Sequence, residues 1–146
     1  MDILAERLKY LRTKHNLTQS QAGEIVGVQY KTYQKYEYDD ANPPIPMLIK
    51  FAQYYNVSVN FLTGYKDDER EQCNTKQVAT LSTRLQMLRK QKELYQKEAA
   101  VQLELTQRSL QNYELGLRTP NIESLCKLAA FYGVSVDYLV GLDVAE

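Results

Sequence analysis

The chain contains one segment twice. Residues 4–65, carried forward without a gap, fall on residues 81–142, and roughly a third of the positions are then identical. Leu4, Arg7, Leu8, Leu11 and Arg12 land on Leu81, Arg84, Leu85, Leu88 and Arg89. Tyr36-Glu37 lands on Tyr113-Glu114, Pro43 on Pro120, and Val57-Ser58-Val59 on Val134-Ser135-Val136, with Leu62 and Gly64 on Leu139 and Gly141. A fixed period that keeps its apolar spacing is one fold used twice.

Length alone would suggest a single domain for 146 residues, but the repeat overrides that prior with two units of about 60 residues each. The expected boundaries are 1–65 for the first domain, 66–78 for a polar connector and 79–146 for the second. Units this small bury modest cores. No long apolar run and no basic-then-apolar leader is present, so neither a membrane span nor a signal peptide is expected. The two cysteines occupy unlike places: Cys73 lies in the connector, and Cys126 falls opposite Ile49, where a buried apolar site is expected. That is no disulfide framework, and a cytoplasmic location is the default.

The net charge is zero. Eight basic residues meet six acidic ones over 1–66, two meet four over 67–78, and eight meet eight over 79–146. A neutral chain has no global field that draws it to polyanions, so any nucleic-acid binding depends on where charges sit.

Each repeat reads as helices. Ile3, Leu4, Leu8 and Leu11 keep helical spacing, and Lys14-His15-Asn16 ends that segment. Thr18-Gln19-Ser20-Gln21 has capping-box form, and Gly27 is placed to close the second helix in the left-handed conformation. A third helix follows from about Tyr30 to Asp39, Pro46 opens a fourth, and Ser58 caps a short fifth. The second repeat predicts helices near 80–92, 96–103, 107–115, 122–132 and 136–141. Two helices joined by a few residues inside such a unit form a helix-turn-helix candidate. The connector fits either a flexible linker or a polar extension of the next helix.

Both repeats resemble the phage-repressor-like (Xre-type) helix-turn-helix family. The second carries Leu94, Gln96, Ala99, Leu105-Thr106-Gln107-Arg108-Ser109-Leu110, Tyr113-Glu114-Leu115-Gly116 and Pro120; the first carries Leu17-Thr18-Gln19, Ala22, Gly27-Val28 and Tyr36-Glu37. The resemblance implies an all-α chain, a tandem repeat of two five-helix lambda-repressor-like helix-turn-helix domains. It also implies double-stranded DNA as partner, with the third helix of each domain in the major groove, a transcription-regulating and repressor-like role, and no cofactor. An α-helix fits that groove, and Gln, Asn and Arg pair with base edges. Gln107, Arg108, Gln111 and Asn112 share one face of the second repeat's third helix, while Leu110, Tyr113 and Glu114 turn inward.

The corresponding face of the first repeat is Tyr30, Lys31, Gln34 and Lys35, followed by Asp39-Asp40 where the second has Gly116-Leu117. A tyrosine donates one hydrogen bond and cannot pair a base edge as glutamine does, so the second repeat is expected to be the stronger reader. Tyr30 and Tyr38 fit packing against another surface equally well. Gln19 and Gln96 open the second helices, where the family contacts phosphate; ordinary exposed glutamines would look the same. Thr32, Ser109 and Arg118 stand within the family's reach of the DNA backbone. Arg12 with Glu37, and Arg89 with Glu114, correspond to the family's partly buried ion pair between the first helix and the end of the third. The sequence departs from the family at Tyr95, where a Ser or Thr should cap, at Glu104 in place of the turn glycine, and at Gln29 in place of a cap.

An enzyme is not expected. The one histidine, His15, stands apart, no Cys-x-x-Cys is present, and no glycine-rich phosphate loop or metal-ligand spacing occurs. The alternative to a DNA reader is a protein-interaction module of the antitoxin type, a protein partner being suited by twelve tyrosines and zero net charge. A homodimer with one reader per chain, associating through the tyrosine-rich first repeat, is the expected assembly.

Overall fold

Thr18 sets the pattern for how this chain starts a helix. Its hydroxyl accepts from Gln21 N, and the Gln21 side chain accepts from Thr18 N in return. Ser58, Thr80, Thr106, Asn121 and Ser135 cap later helices through their own oxygens. Each such cap contributes about 1 kcal/mol. The computed structural model describes residues 3–72 and 76–143. Among them lie ten helices and no strand: α1 (Ile3–Lys14), α2 (Gln19–Val26), α3 (Tyr30–Glu37), α4 (Ile45–Tyr55), α5 (Val59–Thr63), then α6 (Leu81–Gln91), α7 (Gln96–Gln102), α8 (Gln107–Leu115), α9 (Ile122–Tyr132) and α10 (Val136–Leu139). The chain divides into two units, Met1–Cys73 and Asn74–Glu146.

Within each unit the five helices close over one apolar core. Leu8, Tyr33, Leu48, Phe51 and Leu62 are fully buried in the first, and Leu85, Leu110, Leu128 and Leu139 in the second. Burial of each such side chain contributes roughly 1.5–3 kcal/mol. The Tyr33 ring meets Phe51 edge-on at 5.9 Å, where the second unit places Leu110 and Leu128. At these two positions one core is aromatic and the other aliphatic, on the same helical plan. Cys126 is half-buried, a correction to the buried site its register with Ile49 implied. α9 turns that position toward the edge of the core. Cys73 lies outside the described residues.

The turns repeat as closely as the helices. Asn16, Gly27, Asp39, Asn56 and Gly64 all have positive φ, and so do Glu93, Glu104, Gly116, Gly133 and Gly141 at the matching five places. Glycine holds both copies only at the last pair. A Cβ on Gly64 would stand 2.7 Å from Ile3 Cγ2, and one on Gly141 would stand 2.0 Å from Ala79 O, so space as well as φ demands glycine there. At the helix-turn-helix corner the pair is Gly27 with φ 77° and Glu104 with φ 57°. Glu104 therefore takes the strained left-handed form, which costs about 1–2 kcal/mol for a residue with a Cβ. Tyr95 offers no side-chain cap to α7, but its N–H donates to Glu98 Oε1 at 2.9 Å, which satisfies one orphan donor. Gln29 likewise gives α3 no side-chain cap.

The connector is taken up from both ends. On the first unit, Ser58 N donates to Glu71 O at 2.9 Å, Tyr10 OH donates to Glu69 Oε1 at 2.7 Å, and Lys14 pairs with Glu69. Arg7, its guanidinium 4.2 Å above the Phe61 ring, donates to Lys66 O at 2.9 Å and pairs with Asp67. On the second unit, Val78 N donates to Gly141 O and Asp143 N to Lys76 O, both at 2.8 Å, beside an isolated antiparallel bridge between Gln77 and Leu142. α6 starts only at Leu81, so the described part of the polar stretch does not extend that helix.

Candidate nucleic-acid interface

Two ion pairs anchor the helices that carry the candidate readers. Arg12 Nε donates to Glu37 Oε2 at 2.6 Å, its second arm reaches Oε1 at 3.1 Å, and a third N–H holds Leu17 O at 3.0 Å. Arg89 Nε bonds Glu114 Oε2 at 2.8 Å and Oε1 at 3.1 Å, and another N–H holds Leu94 O at 2.9 Å. Each arginine so ties α1 or α6 both to the end of the third helix and to the turn before the second. Hydrogen bonding to the glutamate raises each guanidinium above its ordinary pKa, against the burial that lowers it. The hydroxyls of Tyr33, Tyr55 and Tyr132 are buried nearby and meet no hydrogen-bond partner among the described residues. Burial raises all three phenols, Tyr55 and Tyr132 to about 12.

With Leu110 and Glu114 buried beneath it, α8 turns Gln107, Arg108 and Gln111 to solvent, with Asn112 half-buried beside them. Among the described residues none of these four side chains makes a hydrogen bond or ion pair. Tyr113, expected to turn inward, is half-buried. Ser109 Oγ accepts from Thr106 Oγ1 at 2.9 Å as part of the helix cap, and the Arg118 side chain is exposed in the loop after α8.

In the first unit Tyr30, Lys31 and Lys35 are exposed, while Gln34 is half-buried. Tyr30 is 47% and Tyr38 61% exposed. Asp39 occupies the left-handed place held by Gly116, with Asp40 exposed beside it. Thr32 is half-buried at the start of α3.

Gln19 and Gln96 are half-buried and face inward as well as out. Gln19 Nε2 donates to Glu37 Oε1 at 3.3 Å, and Gln96 Nε2 donates to Glu114 Oε1 at 3.2 Å. In the first unit the network runs on, Gln34 Nε2 donating to Gln19 Oε1 at 3.3 Å and to Tyr30 OH at 2.6 Å. Sequence reasoning missed this link. The signal available for its Gln19–Glu37 step was the identity of Gln19 with Gln96 and of Glu37 with Glu114 in the repeat register. Among the described residues no group of three potential metal ligands gathers, and no helix is long and apolar enough to cross a membrane.

The helix-turn-helix family matches the chain twice, over residues 8–62 and 85–139. The chain is 38% identical over 63 residues to an uncharacterized HTH-type transcriptional regulator, YobD, of Bacillus subtilis, covering 43% of this chain and 56% of that one. It is 42% identical over 64 residues to the HTH-type transcriptional regulator ImmR of Bacillus subtilis, covering 44% and 50%. It is 31% identical over 70 residues to the cryptic phage CTXphi transcriptional repressor RstR of Vibrio cholerae, covering 47% and 62%. The chain spans about half the length of the first two of these relatives. No solved structure matches. With both matches lying on the helices just described and together spanning most of its length, the chain belongs to the Xre-type helix-turn-helix family.

Proposed function

We propose that this chain is a sequence-specific double-stranded DNA-binding transcriptional regulator, repressor-like, with α8 as its principal reader. The observation that carries this is the face of α8: two exposed amides and a guanidinium, with a third amide half-buried, none bonded to another described residue, on a helix fixed from below by Leu110 and the Arg89–Glu114 pair. Such groups match base edges in the major groove, and a guanidinium pairs with guanine O6 and N7. Gln96, Ser109 and Arg118 flank that face and suit phosphate contact. Tyr30, Lys31, Gln34, Lys35 and Gln19 form the secondary reader of the first unit. The similarity to a phage transcriptional repressor supports the repressor-like role. Readers of half-sites stand about one helical turn apart, which two chains supply as a homodimer. Such a protein is no enzyme, and it works in the cytoplasm, where the duplex is.

Binding-site selection from random duplexes, followed by titration at several salt concentrations, tests this. Arg108→Ala should weaken the selected site by roughly 1–3 kcal/mol while leaving non-specific binding in place. An equal loss from Tyr30→Ala would instead argue for two equivalent readers. No selective binding at all would favour the antitoxin-like reading, a protein partner. That reading has its own support in Leu115 and Leu117, which are 57% and 70% exposed at the end of α8.

A further inference from the structure

The hydrogen bonds of the first unit have a direction, and the direction has a consequence for what that unit reads. The Glu37 carboxylate, paired with Arg12, only accepts. Gln19 must therefore turn its Nε2 toward Glu37, because the flipped amide would set two acceptors against each other. That leaves Gln19 Oε1 facing Gln34, which must answer with Nε2. The second N–H of the same nitrogen goes to Tyr30 OH at 2.6 Å. Both hydrogens of Gln34 Nε2 are then used, and Tyr30 oxygen is the acceptor. What remains unused by these bonds is a pair of fixed sense: the Tyr30 O–H as donor and Gln34 Oε1 as acceptor.

We infer that Tyr30 and Gln34 together form a composite reader for adenine in the major groove, its polarity set by Gln19 from the Arg12–Glu37 pair; this rests on the DNA-reading role proposed above. Adenine presents an N7 acceptor and an N6 donor, which complement the pair. Guanine presents two acceptors, so its O6 would oppose Gln34 Oε1. Tyrosine alone cannot read a base edge as an amide does, but here a neighbouring amide supplies the missing half. The second unit lacks this device. Gln96 bonds Glu114 in the same way, but Gln111 is exposed and takes no bond from it, and Gln107 replaces Tyr30. Its amides are free to rotate to suit either purine.

The test uses the full chain and a duplex selected from a random pool, with each A·T pair changed singly to G·C. One pair should resist the change by on the order of tenfold in affinity, the scale of a two-bond base contact. Tyr30→Phe, which removes only an exposed hydroxyl, should abolish that preference at that pair alone. Gln19→Met, nearly isosteric but without polarity, should abolish it at the same pair with the thermal midpoint kept. If Gln19→Met lowers the midpoint, Tyr30→Phe and Gln34→Met carry the decision. A preference that survives Tyr30→Phe, or losses at different pairs, would overturn the composite reader. So would a selected site in which only Arg108→Ala moves any preference, an outcome that leaves the DNA-reading role intact. Absence of selective binding by the unaltered chain would overturn that role and this inference with it.

Discussion

Replacing Arg89 by alanine should cost the second unit much of its stability while sparing the first. The Glu114 side chain is 2% exposed and accepts from Arg89 at 2.8 and 3.1 Å. Without the guanidinium the carboxylate keeps Gln96 Nε2 at 3.2 Å as its side-chain partner. Breaking one side of a buried pair costs roughly 3–5 kcal/mol, because the remaining charge stays uncompensated. Leu94 O also loses the donor that held it at 2.9 Å, adding about 1 kcal/mol. Domains hold roughly 0.05–0.15 kcal/mol per residue, so a loss of this size takes about half or more of what a unit this small has. Urea unfolding followed by far-ultraviolet circular dichroism reads it directly. Arg89→Ala should split the curve, with one half of the helical signal lost early and the other at its original midpoint. Adding Glu114→Gln should restore part of the loss, since the isolated charge is then gone. A cost below about 1 kcal/mol, or no recovery in the double variant, would refute the argument that an uncompensated buried carboxylate sets the penalty.

Other outcomes follow from the same geometry. Glu104→Gly should stabilise the second unit by about 0.5–1 kcal/mol, the left-handed strain of about 1–2 kcal/mol being partly offset by the greater entropy of an unfolded glycine; a fall in its thermal midpoint would contradict this. Alkaline pH should destabilise both units. Tyr55 and Tyr132 have folded pKa values raised to about 12 from an ordinary 10, so their contribution is whole below pH 10 and is lost as pH rises from there through 12. Ultraviolet titration should show tyrosines ionising late and together with loss of helix, and titration complete before any loss of helix would argue against it.

Most of the helical plan was legible because it is written in local chemistry. Thr18 with Gln21, Ser58 and Gly27 act on backbone groups a few residues away, so a linear reading finds them. The Arg–Glu pairs were legible for another reason: the repeat displayed each twice at one spacing. The sense of the long amides was not. Periodicity assigns Gln19 and Gln34 to a face, but a flexible side chain at the edge of that face can serve either solvent or a buried carboxylate. Only the position of Glu37 in space decides between them. The connector was obscure on similar grounds. Its Asp and Glu residues read as solvated, whereas Glu69 and Glu71 bond Tyr10, Lys14, Ser58 and Asn60 from elements distant in sequence.

The matched left-handed turns give the duplicated chain an internal standard that single-copy domains lack. Gly27 and Glu104, Asp39 and Gly116, and Asn56 and Gly133 each place a glycine and a side chain at one corner of the same architecture. Exchanging the residues within a pair tests each unit with a solution already present in its twin, under the same solvent and in the same molecule. The sum of the two changes in an exchange isolates how far each surroundings has adapted to its own occupant, since the intrinsic conformational cost cancels. At Gly64 and Gly141, where a Cβ would meet Ile3 and the Ala79 backbone, there is nothing to exchange. The two copies differ at corners where φ is the main demand, and share glycine where a Cβ would collide with another part of the chain.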